Sequence, residues 1–374
     1  MRPHNWTDWL SSERMVALND QQILQSGSAV VYWSQNAHRG VDNEALNAAI
    51  ALGDELGVGV VVYASIHSDV PHSTMRSHSF LLEGLRDMAG TLRYRGIPLV
   101  ARLESSEEGV VRFADELRAA AVVTDRSALR LGRNLRKRVA QRLEIACLEV
   151  DSEHIVPLHL LGRAFCNARS LRSVLSQNLD RWLWPRHDPA PRMCHDGADG
   201  VDFARPIGRI LDELEVDRSV AHVRGMVGGT CEAVRRFGFF LTGVPLAHEC
   251  PWNAGHSRLS PYIRFGHISP SAVVRALRIT PSDFGQRALD EVLTRRELAA
   301  NFTWYTDSYS SISSIPGWAQ SSLQRHAGER AGASYSRAEL ADGETDDLLW
   351  NASQRELRQT GRIQSYVRMY WGKR

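Results

Sequence analysis

Ala29-Val30-Val31-Tyr32-Trp33 and, further on, Val58-Gly59-Val60-Val61-Val62-Tyr63 are short runs rich in β-branched and aromatic residues. Three more follow at Ile97 to Leu103, Ala121-Val122-Val123-Thr124 and Ile145 to Val150, with amphipathic helical stretches between them. Ser73 to Tyr94 carries Phe80, Leu81, Leu85, Met88 and Leu92 at helical spacing. Ser105 with Glu108 reads as a capping box ahead of Val110, Val111 and Leu117. Strands that recur after helices of this length predict βαβ units and a doubly wound parallel sheet over residues 1–150. No glycine fingerprint follows the first run, where Ser34-Gln35-Asn36-Ala37-His38-Arg39 stands, which argues against a dinucleotide-binding Rossmann domain.

Residues 151–219 read as an interdomain linker. Asp188-Pro189-Ala190-Pro191 and Asp196-Gly197-Ala198-Asp199-Gly200 are loop chemistry, with one short helical piece near Ala168 to Leu183. From residue 220 to 374 strand patterns give way to helices. The expected fold is α/β plus all-α: a parallel-sheet domain, a linker and a helical domain.

The chain of 374 residues is long enough for two cores, and its formal net charge of +2 does not by itself demand a polyanionic partner. Lys137 and Lys373 are its only lysines; the arginines that replace them suit bidentate phosphate contacts, which leaves nucleic-acid binding open. Its five cysteines, Cys147, Cys166, Cys194, Cys231 and Cys250, are odd in number and widely spaced, as expected for reduced thiols in a cytoplasm. Met1 to Asp8 lacks the pattern of a secretory signal, and no apolar run is long enough to span a bilayer, so no membrane association is expected.

Three stretches could carry chemistry. In Ser257-Arg258-Leu259-Ser260-Pro261 and Ser269-Pro270, hydroxyls and prolines mark two helix starts, and a helix N-terminus among serines and arginines suits a diphosphate. In Arg295-Arg296-Glu297-Leu298-Ala299-Ala300-Asn301-Phe302-Thr303-Trp304, the residues Glu297, Asn301 and Trp304 fall at i, i+4 and i+7 on one helix face. A carboxylate, an amide and an indole in a row could read and stack a base, or form a solvated edge of the core. Finally, Thr345-Asp346-Asp347 opens a helix with Trp350, Gln354 and Leu357 on one face, and Gly361 interrupts it. A second helix then aligns Ile363, Tyr366, Val367, Tyr370 and Trp371, so a junction at Gly361 would bring Trp350 and Trp371 together. Gly225-Met226-Val227-Gly228-Gly229-Thr230 resembles a phosphate loop only in its glycines. Cys194-His195 and His67, His72 and His78 lack zinc spacing, so no metal is expected.

Together these segments resemble class II cyclobutane-pyrimidine-dimer photolyases. The matching stretches are Val30-Val31-Tyr32-Trp33-Ser34-Gln35, Val41-Asp42-Asn43-Glu44-Ala45-Leu46, Glu149-Val150-Asp151 with Ile155-Val156-Pro157, Leu259-Ser260-Pro261-Tyr262, Arg295-Arg296-Glu297-Leu298 with Asn301-Phe302, Leu349-Trp350-Asn351-Ala352 and Arg368-Met369-Tyr370-Trp371. Ser34 and Glu44 depart from the methionine and tryptophan usual in the family. The resemblance implies a helical domain that binds FAD, an antenna chromophore of unknown identity on the α/β domain, and light-driven repair of cyclobutane dimers in UV-damaged DNA by a monomer. It implies FAD phosphates at Ser257, Arg258, Leu259 and Ser260, and Glu297, Asn301 and Asn351 facing the lesion. Trp371 and Trp350 would be the first two members of a tryptophan relay that reduces the flavin. Family chains run past the point matching Trp371, so the helical domain is expected to be incomplete, with a third relay tryptophan and a flavin-facing Asn-Asp-Arg segment falling after Arg374. A truncated, non-catalytic homologue, a DNA-binding remnant or cryptochrome-like protein with weak or no flavin binding, is the alternative.

Overall fold

The computed structural model describes residues 12–68, 70–183, 187–243, 257–280, 283–329, 334–363 and 365–373. Strands β1 (Met15–Ala17), β2 (Ala29–Trp33), β3 (Gly59–Ser65), β4 (Leu99–Arg102), β5 (Ala121–Asp125) and β6 (Ala146–Val150) form one sheet in the order β1-β6-β5-β2-β3-β4. All neighbours run parallel except β1, which pairs antiparallel with β6 at the edge. Strand order reverses between β2 and β5, the point where open α/β sheets leave a crevice.

Helices α1 (Glu44–Leu56) and α2 (Met75–Tyr94) cover one face of the sheet, and α3 (Ser106–Glu116) and α4 (Arg130–Arg142) cover the other. Val30 and Tyr32 face the first pair, while Val31 and Trp33 face the second. Burial on both faces explains why β2 reads as an unbroken apolar run. The expected strands are all present; the sequence reading lacked only β1, whose three residues are too few and too exposed to leave a pattern. Ser105 is the N-cap of α3, but its side chain makes no capping hydrogen bond, so the expected capping box is not formed.

The stretch read as a linker is built into both bodies. Its helix α5 (Ala168–Trp182) puts Leu171, Leu175 and Trp182 into the helical core, whereas α6 (Ile207–Leu211) sends Ile210 and Leu211 into the core of the sheet. The rest is helical: α7 (Thr230–Thr242), α8 (Ser260–Arg264), α9 (Pro270–Ile279), α10 (Asp283–Leu289), a π-helical turn at Asp290–Arg295, α11 (Arg296–Tyr305), α12 (Gly317–Arg325), α13 (Arg337–Asp342), α14 (Leu348–Thr360) and α15 (Ser365–Lys373). No helix of the described residues is long and apolar enough to cross a membrane.

The two bodies meet closely. A Cβ at Gly266 would collide with the Asn36 carbonyl, and one at Gly84 with the His267 imidazole, so backbone and ring approach where only glycine fits. Glu83 and Asp87 of α2 accept the amides of Gly228 (2.7 Å) and Thr230 (2.7 Å), so α7 is capped by a carboxylate from another helix. Two amides of the glycine loop at residues 225–230 are therefore spent on the protein's own acids, and the Gly229 amide is spent on His267 Nδ1 at 3.0 Å.

His38 and His267 lie in this interface, and burial pushes their imidazoles down to about 4 and about 3. The unfolded chain protonates both below about pH 6.5, while the folded chain keeps them neutral until much lower pH. The unfolded state thus binds more protons in that window, and stability falls as pH drops from 6.5 towards 4. Denaturant titrations should show a loss of about 2 kcal/mol for each histidine between pH 7.5 and pH 5. A flat stability profile over that range would mean that these imidazoles are hydrated.

Candidate functional site

The residues expected to act fall into three places. Along α11, Glu297 and Asn301 are fully buried and share one face, as their spacing implied. That face is turned towards the chain's own backbone and not towards an open cavity. Glu297 Oε2 accepts the Ile155 amide at 3.2 Å, and Oε1 accepts Arg296 Nη1 at 2.7 Å. Asn301 Oδ1 accepts the Phe165 amide at 2.8 Å, and its Nδ2 donates to the Arg163 carbonyl at 2.9 Å. Burial pushes the Glu297 carboxyl up from the ordinary carboxylate range. Trp304 completes the row, with the Arg126 and Arg133 guanidiniums 5.2 Å and 5.3 Å from its ring centroid. The π-helical turn before α11 shifts the helical phase, so extrapolating the stripe from Leu293 could not show what Glu297 would meet.

These partners belong to a buried charge cluster where the chain leaves β6. Arg126 and Arg136 hold the two oxygens of Glu149 at 2.6 Å and 2.5 Å, and Arg39 meets Glu153 at 2.5 Å. Asp151 pairs with His154 at 2.8 Å; burial alone would raise its carboxyl, but His154, Arg126 and Arg14 hold it well below the ordinary range. Sequence reasoning used Glu149-Val150-Asp151 only as a likeness. The run of acids at the end of an apolar strand and just beyond it was the available signal, since such residues need partners if the chain stays inside.

The second place is the loop before α8. Arg258 holds a left-handed φ of 53°, and Leu259 follows in the right-handed region at φ −85°. This alternation turns successive amides to one side, a concavity suited to anions. The amides of Leu259 and Ser260 have no acceptor among the described residues. Leu259 is buried in the helical core, Ser260 is exposed, and Ser257 and Arg258 are half-buried. Ser260 is the first residue of the helix and not its cap, unlike Ser269, whose hydroxyl accepts the Ala272 amide at 3.3 Å. Residues 244–256 lie outside the described residues.

The third place is the junction of α14 and α15. Asp347 caps α14, and the chain turns at Gly361. The turn stacks Trp350 on Trp371, with ring centroids 5.0 Å apart and planes inclined by 18°. Asn351, expected to face a lesion, holds the preceding turn: its Oδ1 accepts the Thr345 amide at 3.0 Å and its Nδ2 donates back to the Thr345 carbonyl at 2.6 Å.

A family model for DNA photolyase matches residues 30–182. The deoxyribodipyrimidine photo-lyase of Methanothermobacter thermautotrophicus is 35% identical over 373 residues, covering 98% of this chain and 81% of its own. Among solved structures, a bacterial class III photolyase from Agrobacterium tumefaciens superposes with a TM-score of 0.70 at 18% identity, covering 92% of this chain and 72% of that one. An archaeal photolyase from Sulfolobus tokodaii with two FAD molecules gives a TM-score of 0.62 at 18% identity, over 91% of this chain and 73% of that one.

Replacing Asn301 by Ala should strand a buried amide and a buried carbonyl and cost about 2–4 kcal/mol of folding stability. Chemical denaturation measures it. A loss below about 0.5 kcal/mol would show that Asn301 is not the structural tie its contacts describe.

Proposed function

The chain belongs to the DNA photolyase family, and from that premise we propose that it is a class II enzyme repairing cyclobutane pyrimidine dimers in UV-damaged DNA with light and reduced FAD. The observation that carries the reading is the stacked pair Trp350–Trp371. Two stacked indoles form a path for an electron, and a helix junction brings them together.

The residues present fit the cofactor. The left-handed Arg258 and the amides of Leu259 and Ser260, which have no acceptor among the described residues, form a cradle for a diphosphate, and the Ser257 and Ser260 hydroxyls lie within the same loop. FAD bound there in reduced form would supply the light-excited electron that splits the dimer and would take it back afterwards. The chain's own part is to hold the phosphates, to feed electrons inward through Trp350 and Trp371, and to accept a dimer flipped from the duplex. We assign Glu297 and Asn301 to bracing α11 against residues 155–165, and Asn351 to holding the start of α14. That occupancy favours, as a second reading, a flavoprotein of the same family that does not repair DNA.

Purified protein incubated with excess FAD and passed through gel filtration should retain a flavin absorption band. Illumination of that sample should then remove dimers from UV-irradiated DNA. Ser260→Asp, an exposed change that sets a negative charge at the phosphates, should lower flavin occupancy at least tenfold while leaving folding intact. Unchanged occupancy would move the phosphates elsewhere, and retained flavin without repair would select the second reading.

A further inference from the structure

Among the described residues the indole pair has no proton acceptor of its own. Trp371 Nε1 is buried and has no hydrogen-bond partner among the described residues. Trp350 Nε1 donates to the Leu340 carbonyl at 2.9 Å, and a carbonyl oxygen is too weak a base to take a proton. An indole that has lost an electron in this pair therefore keeps its positive charge, and the electron can readily fall back.

The neighbouring residue Tyr370 is built differently. Its hydroxyl donates to Asp347 Oδ2, while Oδ1 of the same carboxylate accepts the amides of Leu349 and Trp350, each at 3.0 Å. One carboxylate thus ties the phenol to the backbone of Trp350, with one oxygen for the helix cap and the other for the phenol. A phenol becomes a strong acid on losing an electron, so a tyrosine gives up its electron easily only where a base stands ready for its proton. A charged acceptor also makes the shorter and stronger hydrogen bond, which holds that geometry.

We propose that Tyr370, with Asp347 as its base, is the terminal electron donor to the Trp350–Trp371 pair. The inference rests on the reading of that pair as an electron relay to flavin. The oxidant this requires would be the light-excited oxidised flavin of the proposed site, which would accept one electron from Trp371; Trp350 then refills Trp371 and is left as a radical cation. Tyr370 then gives one electron to Trp350, its O–H bond breaks, and the proton passes to Asp347 Oδ2. The products are two neutral indoles, a neutral tyrosyl radical and a protonated Asp347. The charge separation is thereby locked, because return of the electron now requires return of the proton.

Laser-flash absorption and electron paramagnetic resonance of the FAD-loaded chain read each step without measuring repair. The wild type should show a tryptophanyl signal that gives way to a tyrosyl signal. Tyr370→Phe should keep the first, abolish the second and lower the yield of long-lived reduced flavin several-fold when no external reductant is present. Asp347→Asn retains a good helix cap but loses the base, so tyrosyl formation should slow at least tenfold. Tyr335→Phe, which removes a different phenol paired with Asp346, should change nothing. A tyrosyl signal surviving in Tyr370→Phe, or an unchanged rate in Asp347→Asn, would overturn the proposal, and so would a wild type that stops at the tryptophanyl radical. A wild type with no tryptophanyl signal at all would overturn the relay reading and this proposal with it. Should Tyr370→Phe fail to fold, the Asp347→Asn rate and the solvent deuterium effect on the wild type decide the matter.

Discussion

The charges buried where the chain leaves the sheet set the terms for everything that follows. Glu149, Asp151, Glu153 and His154 sit inside within a span of six residues, answered by Arg126, Arg136 and Arg39. Arg14 donates to the carbonyls of Asp151, His154 and Ile155, so even the backbone of this span is fixed by a guanidinium. Buried pairs add little net stability, yet removing one partner leaves an uncompensated charge at a cost of about 3–5 kcal/mol. Such a cluster therefore selects one arrangement of sheet and helices over its near neighbours. Its last amide, on Ile155, is taken by Glu297, which carries the register from the sheet into α11.

Much of the fold was legible because it rests on local pattern. Strands buried on both faces left unbroken apolar runs, and α2 showed a single stripe, so the order of elements could be read from periodicity. The linker was misleading for a physical reason. Its Pro- and Gly-rich segments look like free loop, but the side chains that matter, Trp182 and Ile210, lie on helices whose burial depends on partners far away in sequence. The capping box at Ser105 failed in the same way, since residue types permit a cap without enforcing its geometry.

The site divides along the same line. The stacking of Trp350 on Trp371 follows from helical phase plus a turn at Gly361, and both are local. The shared face of Glu297 and Asn301 was equally legible. What that face would meet was not, because a π-helical turn precedes it and its partners sit over a hundred residues earlier in the chain. The glycine loop at residues 225–230, which resembles a phosphate loop only in its glycines, meets its anions from within, at Glu83 and Asp87.

The same economy governs the crevice between β2 and β5. Asp125, at the end of β5, accepts the amides of Gln35, Asn36 and Ala37 and the hydroxyl of Tyr32. Three successive amides on one carboxylate form the kind of nest that elsewhere holds a phosphate, so the crevice is filled by the protein itself. The loop fixed in this way is the one whose Asn36 carbonyl packs on Gly266 and whose Arg39 donates to the Gly266 carbonyl at 3.1 Å. Gly266 stands just beyond α8, and α8 begins at the loop we assign to the flavin phosphates. The sheet therefore reaches the loop before α8 through a chain of short, buried contacts, Asp125 to residues 35–37 to Gly266 to α8. In this arrangement the α/β domain is part of the foundation of the loop at residues 257–260.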